Sequence, residues 1–399
     1  MAPNQSLERT RRCSDRFAAS TQGLDCCNIV AQKVAMTEPS KFHQPAPMEG
    51  RGAYNRSSFV QAAGSLPAVA LLERAAHAVA LPPSPDPVFI ADYGSSEGHN
   101  SLPPMAAAIR ALRERVGHER AIFIFHTDLP DNDFTALFQT LANAPNSYLR
   151  NDLAAFAAAV GRSYYEQILP ASSVTLGWSA WAVQWLSRAP CAIPDQVQVA
   201  YSHDAATRSV FAEQAAEDWR TFLAMRSREL CFGGRLVVLT MATDDNGDFG
   251  YRPVVDALYG TLTDRVDRGF IQTEELHRMV IPTFGRTRAQ FLEPFAKSGR
   301  CADLSIEDFE LFHGEDRIWN EFEASGDAQA FGAQWAAFCR ASVFPTLATS
   351  VDNTPDDTRP ARFMDQLEAG MTERLSAAPV RMTIPLAQMT LVKANASAS

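Results

Sequence analysis

Between Val88 and Val116 the chain passes from an apolar run, Val88-Phe-Ile-Ala-Asp92, through a glycine-containing turn, Gly94-Ser-Ser-Glu-Gly98, into a helical pattern over 103–116. A strand that empties directly into such a turn and then a helix is the opening unit of a parallel sheet, whose ligands rest at the carboxyl ends of its strands. Glycine in the turn permits positive φ and lets a ligand come close to the backbone. The unit recurs. AIFIFHTD reads as a second strand ending in Asp128, followed by a helical pattern over 133–144. VTLGWS reads as a third, and RLVVLTMA, preceded by Gly233-Gly234, is the clearest strand of all. The periodicity also predicts helices over 65–80, capped by Ser65 with Pro67 in the first turn, and over 151–168. Beyond Asp248 the pattern turns helical over 250–345, broken by MVIPTF and CADLSIEDFELF. That suits a mainly helical cap over the functional edge, with one or two late strands. The expected fold is therefore α/β, one domain from 47 to 399.

Residues 1–46 stand apart: they carry Arg, Gln, Ser and Pro with little apolar periodicity, and read as a mostly disordered leader. The Arg-bearing start also admits an organellar transit peptide, which the later acids disfavour. A net charge of −10 argues against a nucleic-acid partner. No apolar stretch reaches the roughly 18 residues of a membrane span. Seven cysteines without a C-x-x-C pair, and eight histidines without H-x-x-x-H, predict free thiols, a cytoplasmic setting and no structural metal.

At the first turn, Asp92 is an acceptor suited to an ammonium or hydroxyl group, and Asp128 ends the next strand, where an acid commonly grips the ribose hydroxyls of an adenine nucleoside. The turn is not G-x-G-x-x-G and lacks the G-K-[ST] of a phosphate loop, so it favours a nucleoside without phosphates, such as S-adenosylmethionine. The plainer alternative is that these are ordinary turn residues, since Asp, Gly, Ser and Asn dominate turns everywhere.

More specific residues resolve the choice. IADYGSSEGHNSL resembles the IADLGCSSGPNTL signature of the SABATH family of carboxyl methyltransferases, which act on salicylate, benzoate and jasmonate. Tyr54-Asn-Arg-Ser-Ser58-Phe-Val-Gln61 is similar to the family's Y-x-x-N-S-x-x-Q, HTDLPDNDF to N-D-L-P-G-N-D-F, and RSYYEQILP to G-S-F-Y-x-x-L-F-P. SAWAVQWLS, over Ser179 to Ser187, resembles S-S-Y-S-L-x-W-L-S; GGRLVVLTMA and EELHRMVIPTFGRTRAQF also fit. The likeness runs in order over about residues 48–345.

The resemblance implies a Rossmann-like class I methyltransferase sheet, S-adenosylmethionine as cofactor, a small carboxylic acid as partner, and a homodimer. Position by position it implies that Ser58, Asp92, Gly94, Asn100, Asp128, Leu129, Ser163 and Tyr164 hold the cofactor. Gln61 and Trp185 fall where the acceptor's carboxylate is held, and Trp181 and Gln184 on the pocket wall. The chain departs from the common pattern at Glu97, His99, Trp181 and Gln184, the last two bearing on the choice of acid. Tyr251, Leu258, Ile281 and Phe284 of the cap are further pocket candidates, an apolar set suited to an aromatic or prenyl-like acid.

The residues suit the chemistry. A carboxylic acid with a pKa of about 4 is already ionised at neutral pH and needs no general base. What remains is alignment, and a neutral amide and indole N–H can orient one oxygen without neutralising the other. Without the family likeness, Trp185 and Tyr164 read as core and Gln61 as surface. Four competing readings follow from the same residues. Gly177-Trp-Ser179-Ala-Trp181 approaches the G-x-S-x-G elbow of a hydrolase, with Asp244 or Asp248 and His277 or His313 as nominal partners. A nicotinamide dehydrogenase lacks its glycine spacing. A protein that binds S-adenosylmethionine without catalysis, and an N-methyltransferase of the same family, are the nearer alternatives.

Overall fold

The computed structural model describes residues 45–50, 59–352 and 358–394 of the chain. Nearly all of the leader, and Tyr54 to Ser58 of the likeness, lie outside the described residues. The first half alternates as expected: α1 (Phe59–Ala78), β1 (Val88–Tyr93), α2 (Leu102–Val116), β2 (Ile122–Asp128), α3 (Phe134–Asn143), the short α4 (Tyr148–Asn151), β3 (Ala155–Gly161) and β4 (Val174–Ala180). A long helix α5 (Ala205–Glu229) then leads into β5 (Leu230–Met241). The second half comprises α6 (Arg252–Asp267), α7 (Thr273–Arg278), α8 (Arg288–Leu292), β6 (Leu304–His313), α9 (Arg317–Ser325), α10 (Ala328–Ser342), α11 (Phe344–Ala348), α12 (Arg359–Ala377) and β7 (Pro385–Lys393).

The strands form one seven-stranded sheet in the order β3-β2-β1-β4-β5-β7-β6. The first five run parallel, and β7 enters antiparallel between β5 and β6. The order reverses between β1 and β4, so a crevice opens at the carboxyl end of β1. The register sets what faces it: Asp92 pairs with His126 on one side and Trp178 on the other, and Asp128 pairs with Gly161. Val88, Ile90, Ile122, Ile124, Leu176, Val237 and Leu239 carry the main core beneath this edge. Burial at roughly 25 cal/mol per Å² of apolar surface is what holds the edge rigid enough to position a ligand.

Three departures from the sequence reading have physical causes. The alanine-rich stretch expected as a helix over 151–168 is instead β3, laid parallel along β2 from Ile122↔Ala155 to Asp128↔Gly161. Helix propensity is a weak prior, and the ladder offered by β2 outweighs it. α1 begins six residues before the expected cap, and Ser65 donates its hydroxyl to the carbonyl of Gln61 one turn back, at 2.7 Å. That shift places Gln61 on a helix. The cap also outlasts residue 345, because α12 packs along α10 and α6. The loop 45–49 closes against that cap: Glu49 accepts from Arg340 at 3.2 Å and its backbone N–H donates to Ala341 at 3.0 Å.

Candidate functional site

The first turn is tied to the end of β2 by its backbone. Gly94 (φ 90°) and Ser95 both donate their N–H to the Thr127 carbonyl, at 2.8 and 3.0 Å. A Cβ on Gly94 would lie 2.6 Å from that of Ala182, so only glycine lets the two loops touch. Ser96 (φ 48°) turns its N–H onto Asp128 Oδ2 at 2.8 Å, and Leu129 N–H donates to Oδ1 at 2.8 Å. Burial pushes the Asp128 carboxyl up to about 6, against the opposing pull of those two N–H groups and with a smaller upward push from Asp92. Each oxygen keeps a lone pair free for a further donor.

Below the turn lies a small polar chamber of about 20 Å³, walled by Gln61, Ser65, Asp92, Gly94, Ser95, Asn100, Ser101, Trp178, Ala180 and Trp181. Asp92, 2% exposed, accepts from the Ser101 hydroxyl at 2.5 Å and from His126 Nδ1 at 2.9 Å; His126 Nε2 meets the Tyr148 hydroxyl at 2.8 Å. By contrast, Gln61 Oε1 and both amide atoms of Asn100 are buried without any partner. Buried polar groups are ordinarily satisfied. An acceptor, a donor–acceptor amide and a carboxylate around one chamber match the ammonium and carboxylate of an amino acid, which is one end of S-adenosylmethionine.

Gly94 and Trp181 also line a neighbouring cavity of about 570 Å³. Asp128, Leu129, Ser163 and Tyr164 line it, as do Pro45 to Met48 from the segment before α1. The loop carrying Ser163 and Tyr164 is anchored from beneath by an ion pair with no solvent access. Arg226 donates to the carbonyls of Tyr164 and Glu166 at 2.9 and 2.8 Å, and to Glu229 at 2.9 Å. Glu229 in turn accepts from the N–H groups of Ile168 and Leu169 and from the Tyr93 hydroxyl, at 2.5, 3.0 and 2.7 Å. On the cavity side, Tyr164 and Tyr165 donate to the carbonyls of Ala182 and Trp185, at 2.9 and 2.5 Å. These bonds couple the floor of the cavity to its far wall.

That wall leads to a third, narrower chamber of about 80 Å³ under the cap. Met48, Trp181 and Trp185 line both it and the large cavity, while Gln61 and Trp181 line both it and the polar chamber. These residues stand at the junction. Trp181 adopts a left-handed backbone (φ 56°) and its buried indole N–H has no partner. Gln184 differs from Gln61: its amide is spent on the Trp181 carbonyl at 2.6 Å and the Thr240 hydroxyl at 2.9 Å, so it braces the wall. Arg286, 1% exposed, donates to the carbonyls of Val183 and Ala215 and fixes the same loop from below. Of the four cap candidates, Tyr251, Leu258 and Ile281 line the chamber, while Phe284 packs with the cluster around Leu186, Ile193 and Phe211.

Thus Gln61, Asp92, Gly94, Asn100, Asp128, Leu129, Ser163, Tyr164, Trp181, Gln184 and Trp185 all line three neighbouring spaces, and Ser58 lies outside the described residues. Sequence reasoning missed His126, Tyr148, Gln198, Thr283, Val254, Phe338 and Cys339. The cap residues among them carry only a helical period, which core positions share. The nominal hydrolase nucleophile, Ser179, sits inside β4 with no solvent exposure, donating to the Tyr93 carbonyl at 3.0 Å; it is on no elbow. Among the described residues no group of His, Cys, Asp and Glu could hold a metal, and no helix is long and apolar enough to cross a membrane.

A Rossmann-like sheet with a nucleoside-sized cavity at its switch point, beside a narrow chamber walled by a helical cap, has the architecture of the α/β methyltransferase class. The solved loganic acid methyltransferase with SAH shares the fold at a TM-score of 0.69 and 20% identity, over 88% of this chain and 100% of that one. The chain belongs to the SAM dependent carboxyl methyltransferase family, whose model matches residues 42–388. It is 30% identical over 267 residues to the methyltransferase FUS9 of Gibberella moniliformis, covering 66% of this chain and 71% of that one. It is 27% identical over 270 residues to the salicylate carboxymethyltransferase of Clarkia breweri, covering 65% and 73%. It is accordingly an S-adenosylmethionine-dependent carboxyl methyltransferase.

Proposed function

We propose that the enzyme converts the carboxylate of a small aromatic acid to its methyl ester, with the acid seated in the narrow chamber and the cofactor across the other two. The observation that carries this reading is that Trp181 lines all three spaces, with Gln61 and Trp185 each lining two, and that Gln61 Oε1, the Trp181 indole N–H and the Asn100 amide are buried there without partners. In this reading Asp128 accepts the ribose hydroxyls, Leu129, Ser163 and Tyr164 flank the nucleoside, and Asp92, Gly94 and Asn100 take the amino-acid end. Ser58, by family likeness, completes that set. Gln61 and Trp185 orient the acid's carboxylate, and Trp181 and Gln184 shape the wall.

S-adenosylmethionine supplies a methyl group already activated by its sulfonium. The acid arrives ionised, so no residue needs to take a proton. What the chain contributes is geometry and exclusion of water. Holding two reactants in a near-attack arrangement can supply about 7–11 kcal/mol in favourable cases. The aromatic substrate class is supported by the lining of Trp181, Trp185, Phe249, Tyr251 and Phe338.

Two broader features belong to the same proposal. The enzyme works in the cytoplasm, supported by free thiols at Cys191, Cys231, Cys301 and Cys339. It works as a homodimer, supported by an aromatic ladder on one sheet face: Phe89, Phe123 and Phe156 stand 5.7 and 5.1 Å apart in sequence across three strands, and Phe156 is 45% exposed. The cofactor assignment is tested by calorimetric titration of S-adenosylhomocysteine into wild type and Asn100→Ala. Binding by wild type and a loss of about tenfold or more in the variant support the reading; equal binding removes Asn100 from the site, and no binding to either removes the cofactor assignment.

A further inference from the structure

We infer that the acid carries a second oxygen function, a hydroxyl or carbonyl remote from its carboxylate, which pairs with the hydroxyl of Tyr251 on the cap side of the narrow chamber. This rests on the proposed seating of the acid there. The junction end of the chamber is the one it shares with the cofactor spaces, at Gln61, Trp181 and Trp185. Tyr251, Val254, Val255 and Leu258, from the start of α6, and Phe338 and Cys339, from α10, line this chamber and neither of the others. They form its cap side.

That side carries one buried polar atom without a partner. Tyr251 is 3% exposed, and its phenolic oxygen is buried with no hydrogen-bond partner. The other polar side chains nearby are spent on the protein. Gln198 donates to the carbonyl and hydroxyl of Thr283, both at 3.0 Å, and Ser342 donates to the Phe338 carbonyl at 2.8 Å. Burial pushes the Cys339 thiol up to about 12, so it stays neutral.

Nothing in the packing excuses the orphan. The Tyr251 ring lies parallel to Phe338 (centroids 6.4 Å, interplanar 2°) and edge-on to Trp335 (6.2 Å), contacts that phenylalanine would make equally well. Its backbone is held in the left-handed region (φ 62°) after Gly250 (φ 74°), and this bend is what starts α6 with the ring turned into the cap. A buried hydroxyl left unpaired is costly, and a site built to bond a substrate oxygen rejects the analogue that lacks it. Burial, reinforced by Asp316, pushes the phenol well above its ordinary value. It stays protonated, and a neutral phenol can both donate and accept, so a ligand hydroxyl or carbonyl can pair with it.

The test is methyl-ester formation from matched pairs of aromatic acids, such as benzoate and 4-hydroxybenzoate, or cinnamate and 4-hydroxycinnamate. Wild type and Tyr251→Phe are compared by kcat/KM, with S-adenosylhomocysteine binding by calorimetry as the control for folding. Wild type is expected to favour the oxygenated member of at least one pair by about tenfold or more, and Tyr251→Phe to bring that ratio close to one. Equal use of both members by wild type, or a uniform loss on both in the variant, overturns the inference while leaving the carboxylate reading intact. If neither member of any pair is esterified although the cofactor binds, the seating of the acid is wrong and the inference falls with it.

Discussion

His126 and Asp92 stand in register on adjacent parallel strands, the imidazole Nδ1 2.9 Å from the carboxylate Oδ2, with no solvent reaching the ring. Tyr148 meets the other ring nitrogen at 2.8 Å. Held between the Tyr148 hydroxyl and the Asp92 carboxylate, the ring fixes the rotamer of Asp92 over the polar chamber.

Removing that support is expected to show in cofactor binding. His126→Leu leaves the Tyr148 hydroxyl unpaired and Asp92 held by Ser101 alone, a change expected to cost about 1–3 kcal/mol of stability. Thermal unfolding measures the loss, and calorimetry with S-adenosylhomocysteine is expected to show weaker binding. Unchanged affinity would mean that Asp92 does not hold the cofactor.

Asp128 gives a pH dependence with a definite sign. Burial raises its folded pKa to about 6, above the ordinary carboxylate value of 3.8. Because the folded value lies above the unfolded one, the ionised group costs stability: the free protein loses stability as pH rises from 3.8 towards 6, and no more above that. Cofactor binding runs the other way, since ribose hydroxyls need the ionised acceptor. S-adenosylhomocysteine affinity is expected to be flat from pH 7 to 8 and to fall about tenfold per unit well below the pKa. Asp128→Asn should bind weakly at every pH; a wild-type affinity that is flat down to pH 5 contradicts the assignment.

The Arg226–Glu229 pair is expected to be structural and severe. Glu229 satisfies Arg226, Tyr93 and two backbone N–H groups with no access to water. Removing one partner of such a buried pair typically costs about 3–5 kcal/mol. Denaturant unfolding of Glu229→Ala should show a loss of that size. A change below about 1 kcal/mol would mean that water can enter and solvate Arg226.

How much of this was legible in the residues alone follows from what each signal measures. β1, β2, β4 and β5 announce themselves as apolar runs bounded by turns, and the cofactor residues ride at their ends. β3 was misread because alanine carries no period that distinguishes a strand from a helix, and only the partner β2 decides. α5 is harder to read because Gln214, Asp218, Arg226 and Glu229 share its buried face with Phe211, Ala215, Trp219 and Phe222, which blurs the apolar stripe a helix usually shows. Tyr251 was legible as a pocket residue; its unpartnered oxygen was not, since satisfaction of a polar atom depends on neighbours from α10 and the loops.

The homodimer is open to a direct check. Wild type is expected to run in light scattering at twice the 43.7 kDa chain mass, and Phe156→Asp to shift towards that mass by charging the exposed end of the aromatic ladder. A monomeric wild type contradicts this part of the proposal.

The most direct test is transfer of a labelled methyl group from S-adenosylmethionine to a panel of small aromatic acids, with the product treated with base and wild type compared with Trp185→Phe. The account predicts a labelled, base-labile methyl ester from at least one acid, and about 10- to 100-fold lower kcat/KM in the variant, which keeps an aromatic ring but loses the indole N–H. A base-stable methyl product, or no transfer to any acid by a protein that binds the cofactor, would contradict it.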